Sequence, residues 1–94
     1  MSVYSIWESR FPAEAAEEGI RTTRAIWRDM LSFDGYLDHE LIEDLDQPGH
    51  LFVVSRWASR YAADAALSYA SHPNANRVDH LVSEPRRRTV GSPA

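Results

Sequence analysis

Hydrophobic and polar positions divide the chain into four short strand-like segments and two longer segments with helical spacing. The β-rich segments predict strands over residues 3–8, 36–44, 51–57 and about 85–90. Apolar residues at three- and four-residue steps predict helices over 13–31 and 60–70, and a short helical segment follows Pro73. The order β-α-β-β-α-β with right-handed crossovers predicts an α+β, ferredoxin-like plait, in which both helices cover one face of a four-stranded antiparallel sheet.

Two similar five-residue segments lie fifty residues apart. WESRF occupies residues 7–11 and WASRY occupies residues 57–61. Each begins at the end of a predicted strand and leads into a predicted helix. This arrangement indicates a duplicated strand-helix-strand unit, in agreement with the plait.

The third predicted strand, residues 51–57, is apolar on both faces, although the helices can cover only one face of the sheet. The uncovered face carries Tyr4, Ile6, Phe52 and Val54. Burying a side chain of this size stabilises a protein by about 1.5–3 kcal/mol. A second copy of the chain across a two-fold axis is the simplest cover, so the pattern predicts a homodimer.

Composition narrows the chemistry. The 94 residues predict one domain, over 1–90, followed by a disordered tail over 91–94. With no cysteine and with arginine as the sole basic residue type, thiol and lysine chemistry are excluded. The net charge of −4 argues against a nucleic-acid partner, and the run 86–88 of three arginines is interpreted as a solvated edge strand.

The remaining exclusions concern membranes, export and metals. No apolar run approaches the length of a membrane span, and no signal peptide is visible, so we expect a cytoplasmic protein without a membrane partner. The spacing of the four histidines matches no metal-binding motif, so no metal site is expected.

Several short motifs carry a resemblance to a known family. They are GYL at 35–37, QPG at 47–49, FVV at 52–54, RWAS at 56–59 and SHP at 71–73. In this order they resemble the antibiotic biosynthesis monooxygenase (ABM) family of dimeric α/β-barrel proteins. The resemblance implies a dimeric barrel and, for some members, oxygenation of phenols, quinols or anthrones without a cofactor.

The candidate site residues come from two sources. The resemblance implies that Trp57 lines the substrate pocket and that Arg77 lies near the family's anion-binding arginine. From the residues themselves, His39 is a candidate proton acceptor, because imidazole titrates near neutral pH. Tyr36 is the other candidate for this role. A structural role in the core is the alternative for His39 and for the tryptophans. The third strand lacks the asparagine that anthrone-oxidising relatives carry.

These observations predict a cofactor-independent monooxygenase that oxidises a small phenolic, quinol or anthrone-like aromatic with O₂. A non-catalytic dimer that binds a small ligand, and an isomerase on the same scaffold, are the alternatives. Haem degradation, which the resemblance also makes a candidate, fits poorly, because the first strand lacks the asparagine and the second helix lacks the tryptophan that haem-degrading members of the family share.

Overall fold

The structure is a computed structural model that describes residues 2–94, so Met1, the first residue of the predicted domain, lies outside the described residues. The strands are β1 (Val3–Arg10), β2 (Tyr36–Glu43), β3 (His50–Trp57) and β4 (Arg87–Gly91). The α-helices are α1 (Ala16–Met30), α2 (Arg60–Ala65) and α3 (Pro73–Leu81). Short 3-10 helices span Ala13–Ala15 and Ala66–Ser71.

The four strands form one antiparallel sheet in the order β2-β3-β1-β4. The central strands β1 and β3 pair with Trp7 opposite Val53 and Ser5 opposite Ser55. On the other side of β1, Arg88 of β4 lies opposite Trp7. This order confirms the predicted ferredoxin-like plait.

The second predicted helix differs from the observed one. It is α-helical only as far as Ala65, and the chain then tightens into the 3-10 helix Ala66–Ser71. Proline disfavours a helical conformation in the residue before it, and His72, which precedes Pro73, is extended. The His72 ring then accepts a hydrogen bond from the Asn74 backbone N–H and caps α3.

The helices bury the inner face of the sheet. Trp57 is 1 % exposed and is the largest of the most deeply buried side chains. Around it lie residues of α1, β3 and α3, including Ile26, Trp27, Leu51 and Val78. None of the described helices, within residues 2–94, is both long enough and apolar enough to cross a membrane.

The outer face of the sheet carries apolar side chains at its centre. Tyr4 and Ile6 of β1 lie beside Phe52 and Val54 of β3, and all four are half-buried. Ile42 of β2 is 45 % exposed on the same face. The predicted apolar outer face is therefore present in the folded chain.

Gly19 in α1 allows a close approach between the helix and the end of β1. A Cβ atom at this position would lie 2.4 Å from Cε1 of Phe11, whose side chain is buried. Glycine in a helix interior is less favourable than alanine by about 1 kcal/mol. The contact with the Phe11 ring accounts for its presence.

We expect Gly19→Ala to destabilise the protein by about 1–2 kcal/mol, because overpacking against a buried ring outweighs the gain in helix propensity. Urea unfolding measures the change. Gly91→Ala is the matched control, since a Cβ there meets no atom within 4 Å. Equal or greater stability of Gly19→Ala would contradict the packing argument.

A charged cluster closes one end of the outer face. His50 Nε2 lies 2.6 Å from Glu8 Oε2, and His50 Nδ1 lies 2.9 Å from Asp44 Oδ2. The hydrogen bonds to Asp44 and then Glu8 raise the pKa of His50, against the effects of burial and of the Arg10 charge. The same bonds to His50 lower the pKa values of Glu8 and Asp44.

This cluster predicts a pH-dependent stability. A raised histidine pKa contributes stability that is complete below about pH 6.5 and is lost as the pH rises through the folded-state value. We therefore expect His50→Gln to lower the free energy of unfolding by about 1–3 kcal/mol near pH 5.5 and by less near pH 8.5. His80→Gln is the control, because the His80 Nδ1 contacts a backbone carbonyl. A stability difference that is the same at both pH values would refute the assignment.

Candidate active site

A cavity of about 60 Å³ lies between the inner face of the sheet and the helices. Strand β1 contributes Ser5, Trp7 and Ser9, and helix α1 contributes Thr23 and Trp27. Strand β3, the 3-10 helix 66–71 and the chain around β4 supply Trp57, Tyr69, Arg86 and Arg88. The lining of the cavity therefore combines aromatic side chains with hydroxyl and guanidinium groups.

The aromatic wall consists of Trp27 and Trp57. Their rings meet edge to face, with centroids 6.5 Å apart. Trp57 Nε1 donates a 2.9 Å hydrogen bond to Ser55 Oγ, which donates to the Ser5 carbonyl at 3.0 Å. Since Ser55 is fully buried, these bonds satisfy the indole N–H and hold the ring in one orientation.

Tyr69 lines the cavity, and its hydroxyl is hydrogen-bonded to Asp29 of α1, which lies outside the lining. The Tyr69 hydroxyl donates to Asp29 Oδ2 at 2.5 Å, and the Tyr69 ring stacks on His72 at 4.4 Å. Burial, followed by the hydrogen bond to Asp29, raises the pKa of Tyr69. The phenol therefore stays protonated at neutral pH, and its oxygen also accepts a hydrogen bond from Asn74 Nδ2 at 3.4 Å.

Two arginines line the cavity at the edge of the sheet. The side chains of Arg86 and Arg88 are 17 % and 16 % exposed. The interpretation of residues 86–88 as a solvated edge was therefore wrong for Arg86 and Arg88, and only Arg87 is exposed. Arg88 lies directly opposite Trp7 on the neighbouring strand, and opposite residues of paired strands share a face. Arg88 therefore lies on the inner face of the sheet.

Each buried arginine has an acidic partner on the outside. The Arg86 guanidinium lies over the Trp7 ring at 4.8 Å, and its Nε donates to Asp79 at 2.8 Å. One terminal nitrogen of Arg88 donates to the Ala63 carbonyl at 3.1 Å and to Asp64 Oδ1 at 3.0 Å. The Nε of Arg88 is buried and has no hydrogen-bond acceptor among residues 2–94.

The four candidate residues from the sequence occupy different places. Trp57 lines the cavity. Tyr36 and His39 hydrogen-bond to each other at 2.6 Å and pack against Trp57 and Trp27, with ring centroids 5.7 and 5.4 Å apart, but neither lines the cavity. The structure therefore brings Tyr36 and His39 together behind the aromatic wall.

Burial changes the acid–base properties of this pair. It lowers the pKa of His39, with the nearby Asp38 charge acting in the opposite direction. It also raises the pKa of Tyr36, to which Asp38 adds. Both shifts favour the neutral forms.

Arg77 lies on the surface of α3. Its side chain is 54 % exposed and its Nε donates to Glu18 of α1 at 2.6 Å. It does not line the cavity, where Arg86 and Arg88 supply the positive charge. Helix α3 thus directs this arginine toward α1.

The sequence reasoning missed Asp29 and the two cavity arginines as site residues. Asp29 is an exposed residue near the end of α1, and only its contact with Tyr69, forty residues later, indicates a role. For Arg88, alternation along the strand was only part of the signal, because the face it occupies also depends on the register of β4 with Trp7 of β1. No group of three or more acidic or histidine side chains within residues 2–94 could hold a metal ion.

A surface groove of about 540 Å³ adjoins the cavity. The segment that joins α3 to β4 forms most of it, through Val82, Ser83, Glu84 and Pro85. Trp7 and Arg86 line both spaces. This stacked pair therefore forms the boundary between the cavity and the open groove.

Comparison with solved structures supports the fold over the whole chain. Rv0793 from Mycobacterium tuberculosis is 23% identical, with a TM-score of 0.83 over 100% of this chain and 96% of its own. SnoaB from Streptomyces nogalater, a cofactor-independent oxygenase, is 15% identical, with a TM-score of 0.87; the match covers 99% of this chain and 93% of SnoaB. A conserved protein from Methanosarcina mazei Go1 is 12% identical, with a TM-score of 0.84 over 96% and 90%.

The sequence comparisons give the family. No curated protein matches the chain. The family model described as antibiotic biosynthesis monooxygenase (ABM) matches residues 2–78, which include β1 to β3 and most of α3. The match confirms the resemblance found in the sequence, and the chain belongs to the antibiotic biosynthesis monooxygenase family.

Proposed function

We propose that the protein is a cytoplasmic, homodimeric monooxygenase that oxidises a small phenolic or quinol aromatic with O₂ and without a bound cofactor. The observation that carries the proposal is the cavity lined by Trp27, Trp57 and Tyr69, with the Tyr69 hydroxyl hydrogen-bonded to Asp29 behind it. Membership of the ABM family supports the reaction class.

The size of the cavity narrows the substrate. Pockets for drug-sized ligands measure roughly 300–1,000 Å³. The cavity of about 60 Å³ is far smaller, and it is also below the roughly 150 Å³ that holds a benzene ring. A single ring therefore enters only if lining side chains move, and the three fused rings of an anthrone are disfavoured further.

The proposed reaction needs no electron carrier besides the substrate. The phenolate anion passes one electron to O₂, and the resulting radical and superoxide combine to form a carbon–oxygen bond. The hydroperoxide then loses water, so that one oxygen atom remains as a quinone carbonyl. The ring proton and the hydroxyl proton leave with the second oxygen atom, and the balance is phenol plus O₂ to quinone plus water.

The residues of the cavity supply the conditions for this reaction. Trp27 and Trp57 provide a largely apolar surface against which an aromatic ring can stack. The Tyr69 oxygen accepts the substrate's hydroxyl proton as its own proton moves to Asp29. Tyr36 and His39, the acceptors expected from the sequence, support the wall from behind and act on the orientation of Trp27 and Trp57.

We expect Tyr69→Phe to lower kcat by about a hundredfold or more, because the variant lacks the hydroxyl that passes the substrate's proton to Asp29. The measurement is O₂ uptake with a panel of phenols, quinols and anthrones, in the absence of flavin, metal and nicotinamide. Tyr61→Phe is the matched control, since Tyr61 is 86 % exposed in α2. Unchanged turnover in Tyr69→Phe would eliminate this residue as the proton acceptor.

The same assay separates the rival functions. Substrate-dependent O₂ uptake supports the oxygenase. Consumption of substrate without O₂ identifies an isomerase, and saturable binding without turnover identifies a ligand-binding protein. Either of the last two results overturns the proposal.

The outer face of the sheet supports the homodimer. Ile6 and Val54 are cross-strand partners at its centre, and the helices within residues 2–94 pack on the opposite face of the sheet. Burying this face against the same face of a second copy removes the apolar side chains from water and closes a two-sheet barrel.

We expect Ile6→Glu to weaken the dimer by at least about tenfold, because it places a charge in an apolar interface. Sedimentation velocity at micromolar concentration measures the change. Leu31→Glu is the control, since Leu31 is 59 % exposed at the end of α1, on the helical side of the sheet. A wild-type protein that sediments as a monomer would refute the dimer.

A further inference from the structure

We propose that the cavity stabilises the ionised form of its aromatic ligand and that the buried Nε–H of Arg88 donates a hydrogen bond to the ligand's negatively charged oxygen. The assignment deepens the proposed function and rests on it, because it names the charge state of the substrate and the residue that recognises that charge. The anion-binding role, which the resemblance implied for Arg77 on α3, is thereby assigned to Arg88 on β4.

The unsatisfied donor is the first observation. Roughly 90% or more of buried polar groups in proteins have a hydrogen-bond partner, so a buried guanidinium N–H without one requires an explanation. The Arg88 Nε is buried without an acceptor, and Arg88 lines the cavity. An acceptor oxygen on a ligand in the cavity would complete its hydrogen bonding.

The second observation is that Arg88 is already held in place. Its terminal nitrogen donates to the Ala63 carbonyl and to Asp64, and β4 pairs it with Trp7. These contacts fix the guanidinium before a ligand arrives. Binding then requires little ordering of the side chain, which favours affinity.

The third observation is the sign of the charge inside the cavity. The lining residues within 2–94 include two arginines and no carboxylate. The acidic partners Asp64 and Asp79 are 45 % and 51 % exposed, so water screens their charges, and Asp64 also pairs with Arg60 at 3.5 Å. Asp29 lies behind Tyr69, whose hydroxyl it binds, so the charged groups of the lining itself are the two arginines, and their side of the cavity favours a negative ligand group.

The ligand chemistry follows from these three observations. The ligand is an aromatic ring that stacks on the Trp27–Trp57 wall and carries one anionic oxygen toward Arg88. An ionised ring hydroxyl and a ring carboxylate both satisfy this description. The ionised hydroxyl is also the species from which the proposed oxygenation begins.

Binding of simple aromatic probes tests the proposal. The probes are 4-nitrophenol below and above its own pKa, benzoate, and benzyl alcohol as a neutral analogue, with tryptophan fluorescence as the readout. We expect Arg88→Gln to weaken binding of the anionic probes by at least about tenfold and to leave benzyl alcohol unaffected. Arg87→Gln, which removes the same charge from the exposed side of β4, is expected to change the binding of neither the anionic probes nor benzyl alcohol.

A second measurement uses the wild-type protein alone. We expect bound 4-nitrophenol to ionise at a lower pH than the free compound, as followed by the absorbance of the phenolate. This readout keeps the proposal testable if Arg88→Gln fails to fold. Arg88→Lys, which keeps the charge and lacks the Nε donor, is expected to recover only part of the affinity.

The outcomes separate this proposal from the oxygenase. Equal affinity of the wild type for neutral and anionic probes, or equal losses in Arg88→Gln and Arg87→Gln, would overturn the role of Arg88. Selective binding of the nitrophenolate or of benzoate supports it and identifies the anionic group. Arg88-dependent anion binding without O₂ uptake would disprove the oxygenase while leaving the anion site intact.

Discussion

The hydrogen bonds from Trp57 to Ser55 and from Ser55 to the Ser5 carbonyl connect the deepest part of the core to both central strands. They satisfy the indole N–H, so a tryptophan can be almost completely buried without an unpaired donor. The ring is thereby held against Trp27 of α1, and the sheet and the helices meet at this contact. The cavity lies beside this fixed wall, so its shape depends on the same bonds that hold β1 and β3 together.

The two faces of the sheet have separate roles, although they share the same strands. In β1, Ser5, Trp7 and Ser9 point toward the helices, and Tyr4 and Ile6 point outward. A shift of one residue in the pairing would exchange these sets, because alternate residues face opposite sides. The cluster of His50, Glu8 and Asp44 lies at one end of the outer face and pins the register there through specific hydrogen bonds.

The fold was predictable because it depends on patterns that span only a few residues. Strand and helix order, the central place of β1 and β3, and the apolar outer face all follow from local periodicity and handed crossovers. The site was less accessible because its polar residues meet only after folding. Asp29 is a surface residue until Tyr69 reaches it, and Arg88 is an edge residue until its register with Trp7 is known. The direction of Arg77 depends on the rotation of α3 about its axis, which spacing from Pro73 does not determine.

The 3-10 helix Ala66–Ser71 supplies four of the residues that line the cavity, Ala66, Leu67, Tyr69 and Ala70. Its hydrogen bonds have poorer geometry than those of an α-helix, and Leu67 is 42 % exposed. The opposite wall belongs to the central strands and cannot move without breaking the sheet. Replacements within this six-residue segment, other than at Tyr69, can therefore reshape one side of the cavity without disturbing the sheet.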